Sequence, residues 1–131
     1  MASQYWRARP GAEEVSRLRH AVVDYAASQG VRPKQVQDLA IAVSEVVSNA
    51  VMHAFPPEDH PEEGTITVMA TVNGDEVTVR VVDDGVGLRP RSDSPGAGLG
   101  LAIASSVARR MVVERPERGG TEVRMTFAAC G

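Results

Sequence analysis

The sequence predicts an α+β protein, a two-layer α/β sandwich in which three helices lie on one face of a mixed, mostly antiparallel sheet. Three observations lead there. Apolar residues recur at intervals of three and four over 12–29, the period of a helix with one buried face, and nearly every residue from Leu39 to Met52 is apolar, which suits a helix buried on most of its circumference. Ile66, Val68, Ala70 and Val72 alternate with Thr65, Thr67 and Thr71, and Val77, Val79 and Val81 alternate again before Asp83, the period of half-buried strands. The overall order is helix, helix, strand, strand, helix, strand, strand, and amphipathic helices beside an antiparallel sheet must bury their stripes on it.

Each element has its own signal. Residues 3–9, with Tyr5 and Trp6, suit a short edge strand, Trp6 acting as a lid on the core. Val15, Leu18, Val22, Tyr25 and Ala26 form the stripe of the first helix, and Gly30 follows as its stop. Arg17, Arg19 and Asp24 fall on its outer face. Pro33 is placed for the first turn of a second helix that runs to about His53, where Phe55-Pro56-Pro57 ends it. The stretch 58–63 is acidic, contains proline and reads as loop. Ile66, Val68, Ala70 and Val72 give one strand, Asn73-Gly74 a turn, and Val77, Val79 and Val81 its hairpin partner. After Asp83-Asp84-Gly85-Val86-Gly87 the chain is turn-rich to Pro95. Gly96-Ala97-Gly98-Leu99-Gly100-Leu101 then opens a third helix that reaches Arg110. Residues 111–114 and 120–127 supply two more strands, the last with Val123, Met125 and Phe127 on one face.

A chain of 131 residues fits one domain, 1–131 with its core at about 12–128, and is long enough to bury roughly two-thirds of its unfolded surface. Its net charge of −3, with both signs interspersed, gives no electrostatic footprint for nucleic acid or an anionic membrane. A protein or nucleotide partner fits better. The single cysteine, Cys130, cannot form an internal disulfide, which points to a reducing cytoplasm. No apolar run reaches the ~18 residues of a membrane span, so a soluble protein is expected.

The polar residues set into this apolar frame carry the chemistry. Ser44, Glu45, Ser48 and Asn49 interrupt the second helix on a narrow stripe, which His53 extends by a turn. A carboxylate and a carboxamide on an otherwise buried helix need partners, so the stripe is expected to line a cavity holding something polar; the plainer alternative is a solvent-facing edge. His53 taken alone reads as a hydrogen-bonded helix-end residue. Asp83-x-Gly85-x-Gly87 by itself is a common turn. Gly96-x-Gly98-x-Gly100 lacks both the third glycine and the preceding strand of a dinucleotide fingerprint, and no Gly-Lys-Ser or Gly-Lys-Thr occurs. What remains is a loop-to-helix junction able to receive phosphate oxygens on backbone N–H groups. His20, His53, His60 and Cys130 lack zinc-like spacing.

The combination is more specific than its parts. Glu45-x-x-x-Asn49-x-x-x-His53, Asp83-x-Gly85-x-Gly87, Gly96-x-Gly98-x-Gly100 and Gly120-Thr121, in that order, resemble the Bergerat-type ATP-binding fold of gyrase, histidine kinases, heat-shock chaperones and mismatch-repair ATPases. The form Ser44-Glu45-x-x-x-Asn49-Ala50-x-x-His53 is similar to the bacterial anti-sigma-factor serine/threonine kinases. That resemblance implies ATP and magnesium as cofactors, with Asn49 holding the metal, Glu45 as the general base toward a substrate serine or threonine, and Asp83 accepting a hydrogen bond from the adenine amine. It implies ATP contacts at Asn49, His53, Asp83, Gly85, Gly87, Gly96, Gly98, Leu99, Gly100, Leu101 and Thr121. It also matches Arg17 to an arginine presented to a sigma factor and to its antagonist protein. A homodimer is compatible with it. The segment between Gly87 and Gly96 is short for the lid of that fold, which bears on phosphotransfer. The expected function is an ATP-dependent protein kinase that sequesters a sigma factor and phosphorylates an antagonist. The alternative is a nucleotide-gated binding module on the same pocket. A detached histidine-kinase catalytic domain fits less well, since no separate phosphoacceptor helix is apparent.

Overall fold

The structure, a computed structural model, describes residues 2–54, 64–85, 97–117 and 119–130, without the side chains of 2, 53, 54, 97 and 98. Strand β1 (Ala2–Ala8) leads into helices α1 (Ala12–Ser28) and α2 (Pro33–Asn49), the latter continued by a π-helical turn, Ala50–Ala54. Strands β2 (Ile66–Asn73) and β3 (Glu76–Asp83), helix α3 (Ala97–Val107), and strands β4 (Arg110–Glu114) and β5 (Thr121–Ala128) follow. The sheet order is β1-β2-β3-β5-β4, and all four described pairings are antiparallel, where a mixed sheet was expected.

Register explains the single buried face. Val68, Val81 and Val123 stand side by side across β2, β3 and β5, and so do Ala70, Val79 and Met125, and Val72, Val77 and Phe127. All nine are core residues or pack against the core. Because side chains alternate along a strand, Thr67, Val82 and Glu122, then Met69, Arg80 and Arg124, occupy the opposite face. Arg80 and Glu122 form an ion pair there at 2.9 Å.

Helix α2 lies between α1 and α3 and meets both extensively. Leu39, Ala42, Val43, Val46 and Val47 recur at three and four and are buried. Helix α1 ends in a Schellman turn: Gly30 N–H donates to the Ala27 carbonyl and Val31 N–H to that of Ala26, both at 3.1 Å, and the Val31 side chain is buried against the core. Trp6 covers the core edge as expected and meets Tyr25 edge-on at 6.2 Å between ring centroids.

Several boundaries move. Asn73 pairs with Glu76, so the hairpin turn is Gly74-Asp75, with Gly74 at φ +66, rather than Asn73-Gly74. Helix α3 stops at Val107, because Arg109 N–H already donates to the Thr126 carbonyl at 2.7 Å and Arg110 pairs in β4. Helix α2 gives way after Asn49 to the wider π turn, so His53 does not continue the α-helical spacing of Glu45 and Asn49. The stretch 58–63 and residues 88–95 lie outside the described residues.

Candidate functional site

Asp83 ends β3 and stands opposite Thr121, the first residue of β5, in the same row as Ile66. The row faces the helices, so Asp83 (7% exposed) and Thr121 (1%) are polar side chains set into an apolar layer. Asp83 Oδ1 accepts the Gly85 N–H at 3.0 Å. Burial pushes the Asp83 carboxyl up to about 6; the Gly85 N–H opposes that rise, Asp84 adds to it by charge repulsion, and a backbone hydrogen bond from Thr121 opposes it. Asp84 braces the turn from the other side: its Oδ1 accepts the Thr65 N–H at 2.8 Å, and its own N–H donates to the Thr65 carbonyl at 3.3 Å. The result is a fixed, desolvated carboxyl near neutrality, able to accept or donate one hydrogen bond to a bound polar group. Among the described residues no lysine, arginine or histidine pairs with it.

The polar stripe of α2 divides among its neighbours. Ser44 Oγ accepts from Arg19 of α1 at 3.2 Å. Glu45 leans the other way, toward α3, where a Cβ at Gly100 would stand 3.2 Å from its Oε2. Ser48 Oγ donates to Met52 Sδ at 3.7 Å. Ser44, Glu45 and Ser48 are half-buried and Asn49 is buried (7% exposed). The stripe therefore spans the seam from α1 to α3, with Glu45 half-buried beside Gly100 and Asn49 buried.

The other expected site residues are placed as follows. Gly100 and Leu101 lie in the first turns of α3, half-buried, and Leu99 beside them is exposed. Gly98 is in the same helix and His53 in the π turn, their side chains outside the described set. Gly85 is the donor to Asp83. Gly87 and Gly96 lie outside the described residues. Arg17 is tied within the chain: its Nε meets the Glu14 carboxylate and its Nη2 donates to the Arg7 carbonyl of β1 at 3.0 Å. Two surface cavities, of about 580 Å³ at Arg32–Gln35 with Cys130 and about 290 Å³ at Arg7–Arg9 with Thr65, are not lined by the expected site residues. Both are open surface clefts. Sequence reasoning missed the roles of Arg19, which ties Ser44 to α1, and of Asp84, which braces the turn at Asp83. The Asp83-Asp84 dipeptide was a readable signal for the second; Arg19 had none beyond its place on α1.

With this geometry in view, the chain matches the histidine kinase-like ATPase domain over residues 8–127, nearly its whole length. It belongs to that family. The matched span contains every candidate residue from Arg17 to Thr121, and a histidine kinase-like ATPase domain implies ATP binding. The chain is also similar to the anti-sigma F factor of Thermoanaerobacter sp. (strain X514), at 29% identity covering 82% of this chain and 80% of the relative. It is 27% identical to the anti-sigma F factor of Clostridium acetobutylicum, covering 86% and 84%, and 26% identical to that of Clostridium beijerinckii, covering 80% and 79%. The five-stranded antiparallel sheet with three helices is the α+β architecture expected of this ATPase domain.

Proposed function

We propose that the protein is an ATP-dependent serine/threonine kinase of the anti-sigma type, which sequesters a sigma factor and phosphorylates an antagonist protein. The observation that carries the reading is Asp83: a buried carboxyl facing Thr121 with no cationic partner among the described residues, in a chain whose family is an ATPase domain. Beyond the backbone donors at Gly85 and Thr121 the carboxylate can accept a further hydrogen bond, and an adenine amine is a donor that suits it. The names of the similar relatives, each an anti-sigma F factor, support the sigma-factor partner.

Within this reading Asp83, Gly85 and Thr121 hold the base. The start of α3, with Gly98, Leu99, Gly100 and Leu101, receives phosphate oxygens, a role suited to backbone N–H groups at a helix N-terminus. Gly87, Gly96 and His53 complete the ATP contacts. As the family resemblance implies, magnesium would be held by the Asn49 amide oxygen, a donor that suits a hard cation. Bound ATP supplies the γ-phosphoryl group. Glu45, half-buried on α2, takes the proton from the substrate hydroxyl as its oxygen bonds to phosphorus and ADP leaves. Arg17 belongs to the partner-binding face. No described helix is long and apolar enough to cross a membrane, which fits a cytoplasmic regulator.

The reading is tested by incubating the protein with γ-labelled ATP, magnesium and a candidate antagonist, then measuring sigma-factor capture with and without nucleotide. Label on an antagonist serine or threonine supports the kinase. Nucleotide-dependent capture with no label on any cognate antagonist would leave the nucleotide-gated binding module.

A further inference from the structure

Gly119 and Gly120 precede β5, and both hold left-handed backbone, at φ +97 and +84. A side chain at either position is strained, but only one of the two would also meet other atoms. A Cβ at Gly119 has nothing within 4 Å. A Cβ at Gly120 would stand 2.0 Å from the Asp83 carbonyl oxygen, 3.0 Å from the Asp83 carbonyl carbon and 3.1 Å from Asp84 Cα. All three are backbone atoms, so no rotamer change relieves the overlap. Clearing the nearest contact to 3.0 Å means moving one backbone by 1.0 Å, the difference between 3.0 and 2.0.

The backbone that would move carries the buried carboxyl. The Asp83–Gly85 turn is held on one side by Thr65, which bonds Asp84 through both backbone groups, and from within by the Gly85 N–H on Asp83 Oδ1. Gly120 closes the remaining side. The missing side chain lets the β5 backbone touch the end of β3, which keeps Asp83 opposite Thr121. A displacement of about 1 Å at this point would take the carboxyl out of the narrow range of useful hydrogen-bond distances.

We propose that Gly120 is a positioning residue for base recognition: its contact with the Asp83 carbonyl fixes where the Asp83 carboxyl sits, and thereby the preference for a purine bearing a 6-amino group. The inference rests on the reading of Asp83 as the acceptor for the adenine amine. Gly120 acts through Asp83 and need not touch the nucleotide itself.

The test uses the full chain as wild type, Gly119→Ala, Gly120→Ala and Asp83→Asn, with thermal melts and calorimetric Kd values, in magnesium, for ATP and for purine riboside triphosphate, which lacks the 6-amino group. Wild type should prefer ATP by ~10-fold or more, the scale of one hydrogen bond to a charged group. Gly119→Ala, which shares the backbone strain without the overlap, should keep that preference. Gly120→Ala should lose it, binding the two nucleotides within ~2-fold of each other, with its Kd for the analogue near the wild-type value. The inference is overturned if Gly120→Ala keeps the wild-type preference or weakens both nucleotides equally. It is equally overturned if Gly120→Ala fails to fold where Gly119→Ala folds, since Gly120 would then serve stability alone. If Asp83→Asn keeps the full preference for ATP, the base-recognition reading of Asp83 fails and takes the inference with it. If Asp83→Asn loses the preference while Gly120→Ala retains it, only the role of Gly120 fails.

Discussion

The carboxylate of Glu45 on α2 rests against α3 at Gly100, where an added Cβ would lie 3.2 Å from Oε2. That spacing is tight but not impossible, so Gly100→Ala should fold, with Glu45 giving way by a few tenths of an ångström. Alanine is also the better helix former, by up to ~1 kcal/mol. The expected outcome is a melting temperature equal to or above wild type together with a fall in phosphotransfer of ~10-fold, since a displaced base is a poorly aligned one. A melt beside a single-turnover assay checks both directions.

Asp83 gives a pH signature. Its carboxyl titrates near 6 in the folded chain against 3.8 for the ordinary group, so folding takes up a proton between those values. Because the folded value is raised, the contribution of Asp83 to stability is most favourable below about 3.8 and falls as pH rises to about 6. Above that, the ionised, buried carboxylate is a net cost. Asp83→Asn should therefore raise stability at pH 7.5 by ~1–2 kcal/mol and by much less at pH 4, read by denaturant titration at both pH values.

ATP affinity should move the opposite way. An ionised Asp83 accepts the adenine amine and a protonated one does so less well, so binding should weaken as pH falls below about 6. Calorimetry from pH 5 to 8 should show this slope in wild type and a flatter one in Asp83→Asn, the variant removing the group that titrates.

Asn49 is buried at the end of α2, and its amide oxygen is the proposed magnesium ligand. Asn49→Ala should lose the magnesium-dependent part of ATP affinity, ~10-fold or more, while magnesium-free nucleotide binding changes little. Titrations with and without magnesium separate the two.

Much of this was legible in the sequence because burial leaves a period. Ile66, Val68, Ala70 and Val72 read as one strand face, and Val15, Leu18, Val22, Tyr25 and Ala26 as one helix face, since each pattern has one physical solution. The pairing of Asp83 with Thr121 was not legible. It depends on which strands become neighbours, and alternation carries no information about partners. The π turn at Ala50–Ala54 was invisible for a related reason: its hydrogen-bond shift leaves the local composition helical. The tethers Arg19 to Ser44 and Arg17 to Arg7 are contacts across elements, which residue spacing does not encode.

Arg17 has a measurable choice of roles. Its ties to Glu14 and the Arg7 carbonyl are half-exposed and should contribute under ~1 kcal/mol to stability. If it also belongs to the partner face, Arg17→Ala should weaken sigma-factor binding by ~1–2 kcal/mol while ATP affinity stays unchanged. Binding equal to wild type would leave Arg17 as an internal strut between α1 and β1.

Glu45 decides between a kinase and a binding module. Glu45→Gln keeps the size of the side chain against Gly100 but cannot accept the substrate proton. The most direct measurement is single-turnover transfer of labelled phosphate to the antagonist by wild type and Glu45→Gln at saturating ATP, with Kd values for ATP and sigma factor measured alongside. The account predicts a fall of ~10²–10⁴-fold in the transfer rate with both affinities within ~2-fold of wild type. Transfer at the wild-type rate by Glu45→Gln would contradict it.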